Sequence, residues 1–322
     1  MVALWIFILL AVVQGVLEWL PVSSEGQLIL ILTWIGESES ALAIALFMHL
    51  GTMIAVIVRF WPDFWLLLSG QEIQTNKFFG KKEAPQEENQ EEDHEETNKE
   101  EEETTNVNKE HQKQLWKFLL IGTIGTAILG VPLYLLLEYL LDEGEAITFA
   151  NGKITSGDII TMVIGVFLIA TGIFIIFSRR KIAKKDLMQM NYKEMLIVGG
   201  VQGLAIIPGV SRSGSTIGAL LVEGVEETEA LRLSFLLSIP AIIGANMLII
   251  IIDLIQGEFS FTGIPWYAML LAVIVSAVVG FLTIDVFLRL ARKINFGWFC
   301  IAFGSLALII TLLFVILKVT TT

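Results

Sequence analysis

The stretch MLIVGGVQGLAIIPGVSRSGSTIGALLV, Met195 to Val222, decides how this chain folds. It is apolar at both ends and broken in the middle. There PGVSRSGST, Pro208 to Thr216, packs one arginine, three serines and one threonine into nine residues. The pieces beside the break, 194–207 and 215–222, are too short to cross about 30 Å of hydrocarbon at about 1.5 Å per residue. Proline and glycine at the break suit a helix–loop–helix hairpin that enters a membrane and returns. An arginine near the bilayer midplane costs about 2.5–3.5 kcal/mol on insertion scales, so Arg212 must hold something there.

The rest of the chain supplies the membrane. Of 322 residues, 55% are hydrophobic and the mean hydropathy is +0.73, well beyond a soluble domain. Six apolar runs are long enough to span: about 41–60, 115–140, 158–178, 231–253, 265–289 and 296–318. A second interrupted region covers residues 2–35, broken at LPVSSEG (Leu20–Gly26). The expected fold is an all-α integral membrane protein, one polytopic domain over 1–322, with six transmembrane helices and two re-entrant hairpins. The first twenty residues lack a basic start and a small-x-small cleavage site, so they read as retained. The single cysteine, Cys300, excludes an intramolecular disulfide and leaves the redox compartment unreadable.

The two interrupted regions are related to each other. A shift of 188 residues lays Val13–Gly15 (VQG) on Val201–Gly203 (VQG), and Val22–Gly26 (VSSEG) on Val210–Gly214 (VSRSG), with six identities. Such self-similarity signals internal duplication, about 1–140 against 158–318. Arg179, Arg180, Lys181, Lys184, Lys185 and Lys193 crowd one loop; Arg289, Arg292 and Lys293 crowd another. The loops near 36–40, 141–157 and 254–264 hold only Lys153. The positive-inside rule places the two basic loops in the cytoplasm. Three spans then separate the hairpins, so they enter from opposite faces. That is an inverted-topology repeat with both tips near the midplane. A full span over residues 2–20 would instead reverse the orientation of the first half.

The net charge of -12 is concentrated. Residues 71–114 carry fourteen Asp/Glu against six Lys, a net of -8. Almost no large apolar residue lies within APQEENQEEDHEETNKEEEETTNVNKEHQ, so the segment is expected to be a disordered or loosely helical cytoplasmic insert. A solvated linker is the plain reading and a partner- or metal-binding tail the other. His94 and His111 lie there without metal-ligand spacing.

Two broken helices meeting tip to tip make an anion site. Freed backbone N–H groups and positive dipole ends point inward. Ser211, Ser213 and Thr216 add hydroxyls, Arg212 adds a planar fork for phosphate oxygens, and Gly209 and Gly214 admit close backbone approach. The first break offers Ser23, Ser24, Gly26 and Gln27. Gln14 and Glu18 form an i,i+4 pair on the helix before it. Phosphate fits this set best. Plainer readings stand beside it: Arg212 and Glu18 could form a buried structural salt bridge, and any one serine could bond back to its own helix. His49, alone in FMHLGTMIAV, reads as structural, and Thr52 as a packing residue.

At these residues a family becomes visible. VQGVLEWLPVSSEGQLIL, PGVSRSGSTIGALL and LRLSFLLSIPAIIGA, with FMHLGTMIAVIVRFW, resemble the undecaprenyl-diphosphate phosphatases linked to bacitracin resistance. The likeness covers nearly everything outside 71–114. It implies a multi-pass plasma-membrane enzyme, open to the outer face. Such an enzyme hydrolyses a polyprenyl diphosphate to the monophosphate and phosphate, with a divalent cation (Mg2+ or Ca2+), and so recycles the lipid carrier of envelope sugars. By position, Glu18, Ser24 and Arg212 fall on essential family residues. Ser23, Gln27, Ser211, Ser213, Gly214 and Thr216 are expected to bind phosphate, and Glu18 with Gln14 to hold the metal.

Two departures stand out. The family usually has histidine at the position of Gln27, and a small residue at that of Glu25, whose carboxylate here offers a further metal ligand. Both point to a divergent branch, archaeal by expectation. The expected partners are the lipid substrate and membrane lipids, not nucleic acid, with a homodimer as a candidate assembly. In the mechanism expected, Ser24 attacks phosphorus with Glu18 as base, and Gln27 supplies a hydrogen bond. The rival from another class is a polyprenyl-phosphate flippase or anion-coupled transporter using the same pocket.

Overall fold

The computed structural model describes residues 4–20, 23–34, 41–70, 94–142, 156–179, 184–257 and 265–320. The first interrupted region forms α1 (Leu4–Leu17) and α2 (Ser24–Trp34). At 14 residues, α1 rises about 21 Å, short of the hydrocarbon thickness. Then α3 (Ala41–Arg59) bends by 75° into α4 (Trp61–Ser69). Pro62 favours the new start, and Gly70, at φ 70°, ends it by donating its N–H to Leu66 O. Next come α5 (His94–Asp142), α6 (Ser156–Ser178), α7 (Tyr192–Gly203), α8 (Arg212–Val222), α9 (Glu227–Gln256), α10 (Trp266–Lys293) and α11 (Phe296–Thr320).

Five of these, α5, α6, α9, α10 and α11, are long and apolar enough to cross a membrane, or six if the bent α3–α4 pair is counted as one span. All six apolar runs read from the sequence fall on these elements. No strand occurs among the described residues, only one backbone bridge between Lys185 and Val225.

Of the acidic insert, 71–93 lie outside the described residues. Residues 94–114 continue α5 as one helix. Glu, Lys and Gln are good helix formers, and the junction is tied down. Gln112 Nε2 and Trp116 Nε1 donate to Leu67 O at 3.0 and 3.1 Å, and Gln114 Nε2 donates to Met190 O at 2.9 Å.

Backbone proximity organises the packing. α7 lies along α5 and α1 along α10, with α6 against α11. Glycines face each other at both of the first two seams, Gly199 against Gly122 and Gly15 against Gly280. Small residues of this kind let membrane helices close on one another. One end of the bundle is laced by ion pairs: Arg232–Asp63, Arg179–Glu227 (2.8 Å) and Lys185–Glu194 (2.7 Å). Arg179 Nη1 also donates to Ile294 O at 3.1 Å, which brings the end of α6 to the end of α10.

A buried aromatic group fixes the turn after α1. Trp19 packs edge-on to Phe235 with ring centroids 5.4 Å apart, and Phe235 stacks on Phe60 at 6.2 Å. Trp19 Nε1 also donates to Thr283 Oγ1 at 3.0 Å, tying the turn to α10. Glu18 is therefore held from its chain neighbour.

Candidate active site

Glu18 closes the last turn of α1, its N–H still bonded to Gln14 O at 3.0 Å. The i,i+4 spacing brings Gln14 Nε2 onto Glu18 Oε2 at 2.8 Å. Across the first break, Ser23 caps α2: its Oγ accepts the N–H of Gly26 at 3.1 Å. Across the second, Ser211 caps α8 in the same way, accepting the N–H of Gly214 at 3.1 Å. Two helix N-termini thus open onto one place.

The breaks themselves touch. A Cβ on Gly26 would lie 3.2 Å from Gly209 N. Gly209 has φ 98° and presses on α6, where a Cβ would come within 2.6 Å of Ile164 O. Only glycine fits that conformation and that space. Ser213 Oγ then donates to Leu20 O at 3.1 Å and ties α8 to the turn after α1.

The pocket so formed is lined by Glu18, Ser23, Ser24, Glu25, His49 and Val210 to Ser213, and encloses about 20 Å³. Ser24 Oγ donates to Glu18 Oε2 at 2.9 Å, and Arg212 Nη2 donates to Glu18 Oε1. Among the described residues, three buried side-chain atoms lack a hydrogen-bond partner: Arg212 Nη1, Gln14 Oε1 and Glu25 Oε1. All three belong to lining residues or to the partner of Glu18. Buried polar groups are nearly always satisfied, so such a concentration marks where a polar ligand belongs.

Six residues expected from the sequence line the pocket or its base: Glu18, Ser23, Ser24, Ser211, Arg212 and Ser213. Gln14 reaches it through Glu18. Gln27, Gly214 and Thr216 are outside the lining; Thr216 Oγ1 donates back to Arg212 O at 2.7 Å, and Gln27 is half-buried on α2. His49 is the residue that sequence reasoning missed. Its Nδ1 donates to Ala45 O at 2.7 Å, and its Nε2 lies 3.3 Å from Glu18 Oε2. Its signal was a polar ring in an apolar helix, in a chain that lacks histidine at position 27.

No group of three or more His, Cys, Asp or Glu is arranged to hold a metal among the described residues. Both Glu18 oxygens are engaged by protein donors. The unpartnered Oε1 atoms of Gln14 and Glu25 are hard oxygens, the kind Mg2+ and Ca2+ take. Beside the polar pocket lies a cavity of about 190 Å³ that shares Glu25, His49 and Arg212 with it. Leu46, Val131, Tyr134, Ile242 and Leu248 give it an apolar wall between α3, α5 and α9.

Residues 7–306 match the family model described as bacitracin resistance protein BacA. Three relatives carry the name undecaprenyl-diphosphatase. That of Methanothrix thermoacetophila is 34% identical over 309 residues, 95% of this chain and 96% of its own. Those of Methanococcoides burtonii and Haloarcula marismortui are 33% and 34% identical, each over 94% of this chain and 96% and 95% of their own. With the match running from α1 through both breaks into α11, the chain belongs to the BacA family.

Proposed function

We propose that the chain hydrolyses undecaprenyl diphosphate, or a polyprenyl diphosphate like it, to the monophosphate and phosphate. The carrying observation is the site itself: two helix N-termini, an arginine with one unpartnered donor, and a serine hydroxyl donating to a buried carboxylate. The relatives' shared name points to the same reaction.

Arg212 Nη1 and the N-terminal N–H groups hold the terminal phosphate and stabilise charge that builds on it. The pocket now has room for one water-sized group, so a phosphate is admitted as the Glu18–Arg212 pair opens. Ser24 Oγ attacks phosphorus and gives its proton to Glu18 Oε2, while the prenyl monophosphate leaves. Water then replaces the serine on phosphorus. Glu18 returns its proton to Ser24 Oγ, and both water protons leave with the phosphate. A divalent cation, Mg2+ or Ca2+, would neutralise the diphosphate, with Gln14 Oε1 and Glu25 Oε1 as the protein oxygens open to it. The apolar cavity between α3, α5 and α9 suits the first isoprene units of the tail.

The finer topology belongs to the same proposal. The two hairpins form an inverted repeat, a reading supported by pairs 188 residues apart. Ser23 and Ser211 cap alike, and Gly15 and Gly203 each meet a glycine backbone N across their seam, both 2.9 Å from a Cβ built there. The membrane is the plasma membrane and the site faces its outer side; the ion-paired, basic end supports the opposite face as cytoplasmic. The transporter reading gains nothing from the relatives' hydrolase name.

Phosphate release from undecaprenyl and shorter prenyl diphosphates, by purified protein in detergent with and without chelator, tests this. Turnover needs no sealed membrane if the chain is a hydrolase. Tight substrate binding with no phosphate released overturns the proposal and returns the flippase.

A further inference from the structure

Resting on the diphosphatase reading, we infer that the prenyl tail leaves the site sideways, between α5 and α9, and that Gly244 on the rim of that opening determines which tails fit. The opening belongs to the cavity of about 190 Å³ that meets the polar pocket at Glu25, His49 and Arg212. Protein interiors hold few voids larger than a water molecule. Elsewhere in this bundle helices close until backbones touch, as α7 does on α5 at Gly199 and Gly122. At Gly244 of α9 the opposite holds. A Cβ built there meets nothing within 4 Å.

The lining asks for an apolar occupant. Thr123 Oγ1 donates to Leu119 O at 2.6 Å and Thr126 Oγ1 to Gly122 O at 2.9 Å, each within its own helix. Asn246 Nδ2 donates to Ile242 O at 2.9 Å and to Leu46 O at 3.3 Å. These donors are turned onto backbone carbonyls, so the wall is mostly the carbon of Leu46, Val131, Ile242 and Leu248. A polar group placed against such a wall would lose its hydrogen bonds to water and gain none.

The mouth faces hydrocarbon. Ala127 of α5 and Gly244 of α9 line the cavity and are also exposed, so the void reaches the surface between them. Around them Ile124 and Ile128 of α5, and Ile243 and Met247 of α9, are exposed on helices long and apolar enough to cross a membrane. Large apolar side chains at that level meet lipid rather than water. The rim itself is alanine and glycine. A chain can therefore run from Arg212 into the hydrocarbon without crossing a polar surface. This continuity selects the occupant. A bilayer phospholipid carries its phosphate between two esters, and the polar end encloses only about 20 Å³. A prenyl diphosphate ends in its phosphate, with all its bulk on the tail side.

The test uses full-length protein in detergent and diphosphates with tails of five, ten and fifteen carbons. Gly244→Leu fills the opening without meeting a neighbour, and leucine exceeds glycine in helix propensity, so the thermal midpoint should not fall. KM for the fifteen-carbon substrate is expected to rise about tenfold or more, the loss of about two buried methylenes. The ratio of variant to wild-type KM should grow with tail length, and inhibition by inorganic phosphate should stay near wild type. Ala127→Leu, on the opposite rim, should act in the same direction, and Gly244→Ala by less than Gly244→Leu. Unchanged KM in both leucine variants overturns the inference and gives the opening to a bilayer lipid. A KM ratio independent of tail length overturns it too. Wild-type protein needs no substitution: the fifteen-carbon prenyl monophosphate should inhibit at least about tenfold more tightly than inorganic phosphate. Equal inhibition would mean that the tail has no seat. Wild-type protein that releases no phosphate from any of the three substrates overturns the diphosphatase reading instead.

Discussion

Glu18 and Arg212, 194 residues apart in the chain, meet side chain to side chain: Arg212 Nη2 donates to Glu18 Oε1, while Arg212 Nη1 stays buried without a partner. One arm of the guanidinium closes the gap between the two broken helices and the other is free for a ligand. A purely structural salt bridge has no need of a free arm in a buried site, since an unpaired donor there costs about 1–3 kcal/mol.

Arg212→Lys separates these roles. An ammonium can keep the pair with Glu18, but it cannot present two coplanar donors to phosphate oxygens. Turnover is expected to fall about 100-fold, or about 2.7 kcal/mol of transition-state stabilisation, with the fold intact by thermal melting. Near-wild-type turnover in the lysine variant would assign the pair to structure alone.

Ser24 and Gln27 sit on the same helix and are expected to differ sharply. Ser24 lines the pocket and donates to Glu18 Oε2 at 2.9 Å, whereas Gln27 is half-buried and outside the lining. Ser24→Ala removes the attacking oxygen, so single-turnover phosphate release should drop near background. Gln27→Ala should lose no more than about tenfold, the loss of one hydrogen bond. If Ser24→Ala releases more phosphate than Gln27→Ala, the serine only contacts phosphate and water attacks directly.

Apolar length made the spans legible, because hydrocarbon thickness fixes how many apolar residues a crossing takes. The doubled break was legible too. Proline, glycine and clustered hydroxyls inside apolar sequence have no cheaper explanation than a broken helix. What escaped was whatever depends on packing between distant elements. His49 looks like a lone ring on an apolar helix until α1 brings Glu18 within 3.3 Å of it. Thr216 looks like a phosphate donor until its hydroxyl is seen bonded to Arg212 O. The acidic half of α5 lacks the apolar content to order itself. Its anchors, Leu67 O and Met190 O, are backbone atoms with no signature in sequence.

Those anchors limit how much of the insert is dispensable. Gln112 and Trp116 hold α5 to α4, so a deletion should stop short of them. Removing residues 74–104 leaves Gln71–Ile73 to bridge Gly70 to residue 105, and loop closure depends only weakly on length. Activity and thermal midpoint are expected to stay within about twofold and a few degrees of wild type. Removing 74–116 should lower the midpoint measurably. Loss of turnover in the shorter deletion, with its melting unchanged, would show that the acidic segment acts on the site.

The seam between α7 and α5 gives the sharpest test of packing, because two adjacent glycines differ in what surrounds them. A Cβ at Gly199 would lie 2.0 Å from Gly122 O, 2.6 Å from Gly122 C and 2.7 Å from its Cα. These are backbone atoms, so no rotamer change relieves the overlap and α7 must move away from α5. At Gly200 the nearest atom would be Leu129 Cδ1 at 3.4 Å, an ordinary contact. Gly199→Ala is therefore expected to destabilise by about 1–3 kcal/mol, as overpacking does. It should also reduce turnover, since α7 leads directly into the break that carries Arg212. Gly200→Ala should be neutral or slightly stabilising, because alanine exceeds glycine in helix propensity by about 0.8–1.0 kcal/mol. Thermal melting of both variants in the same detergent decides it: equal midpoints would mean that the two helices do not touch along Gly199.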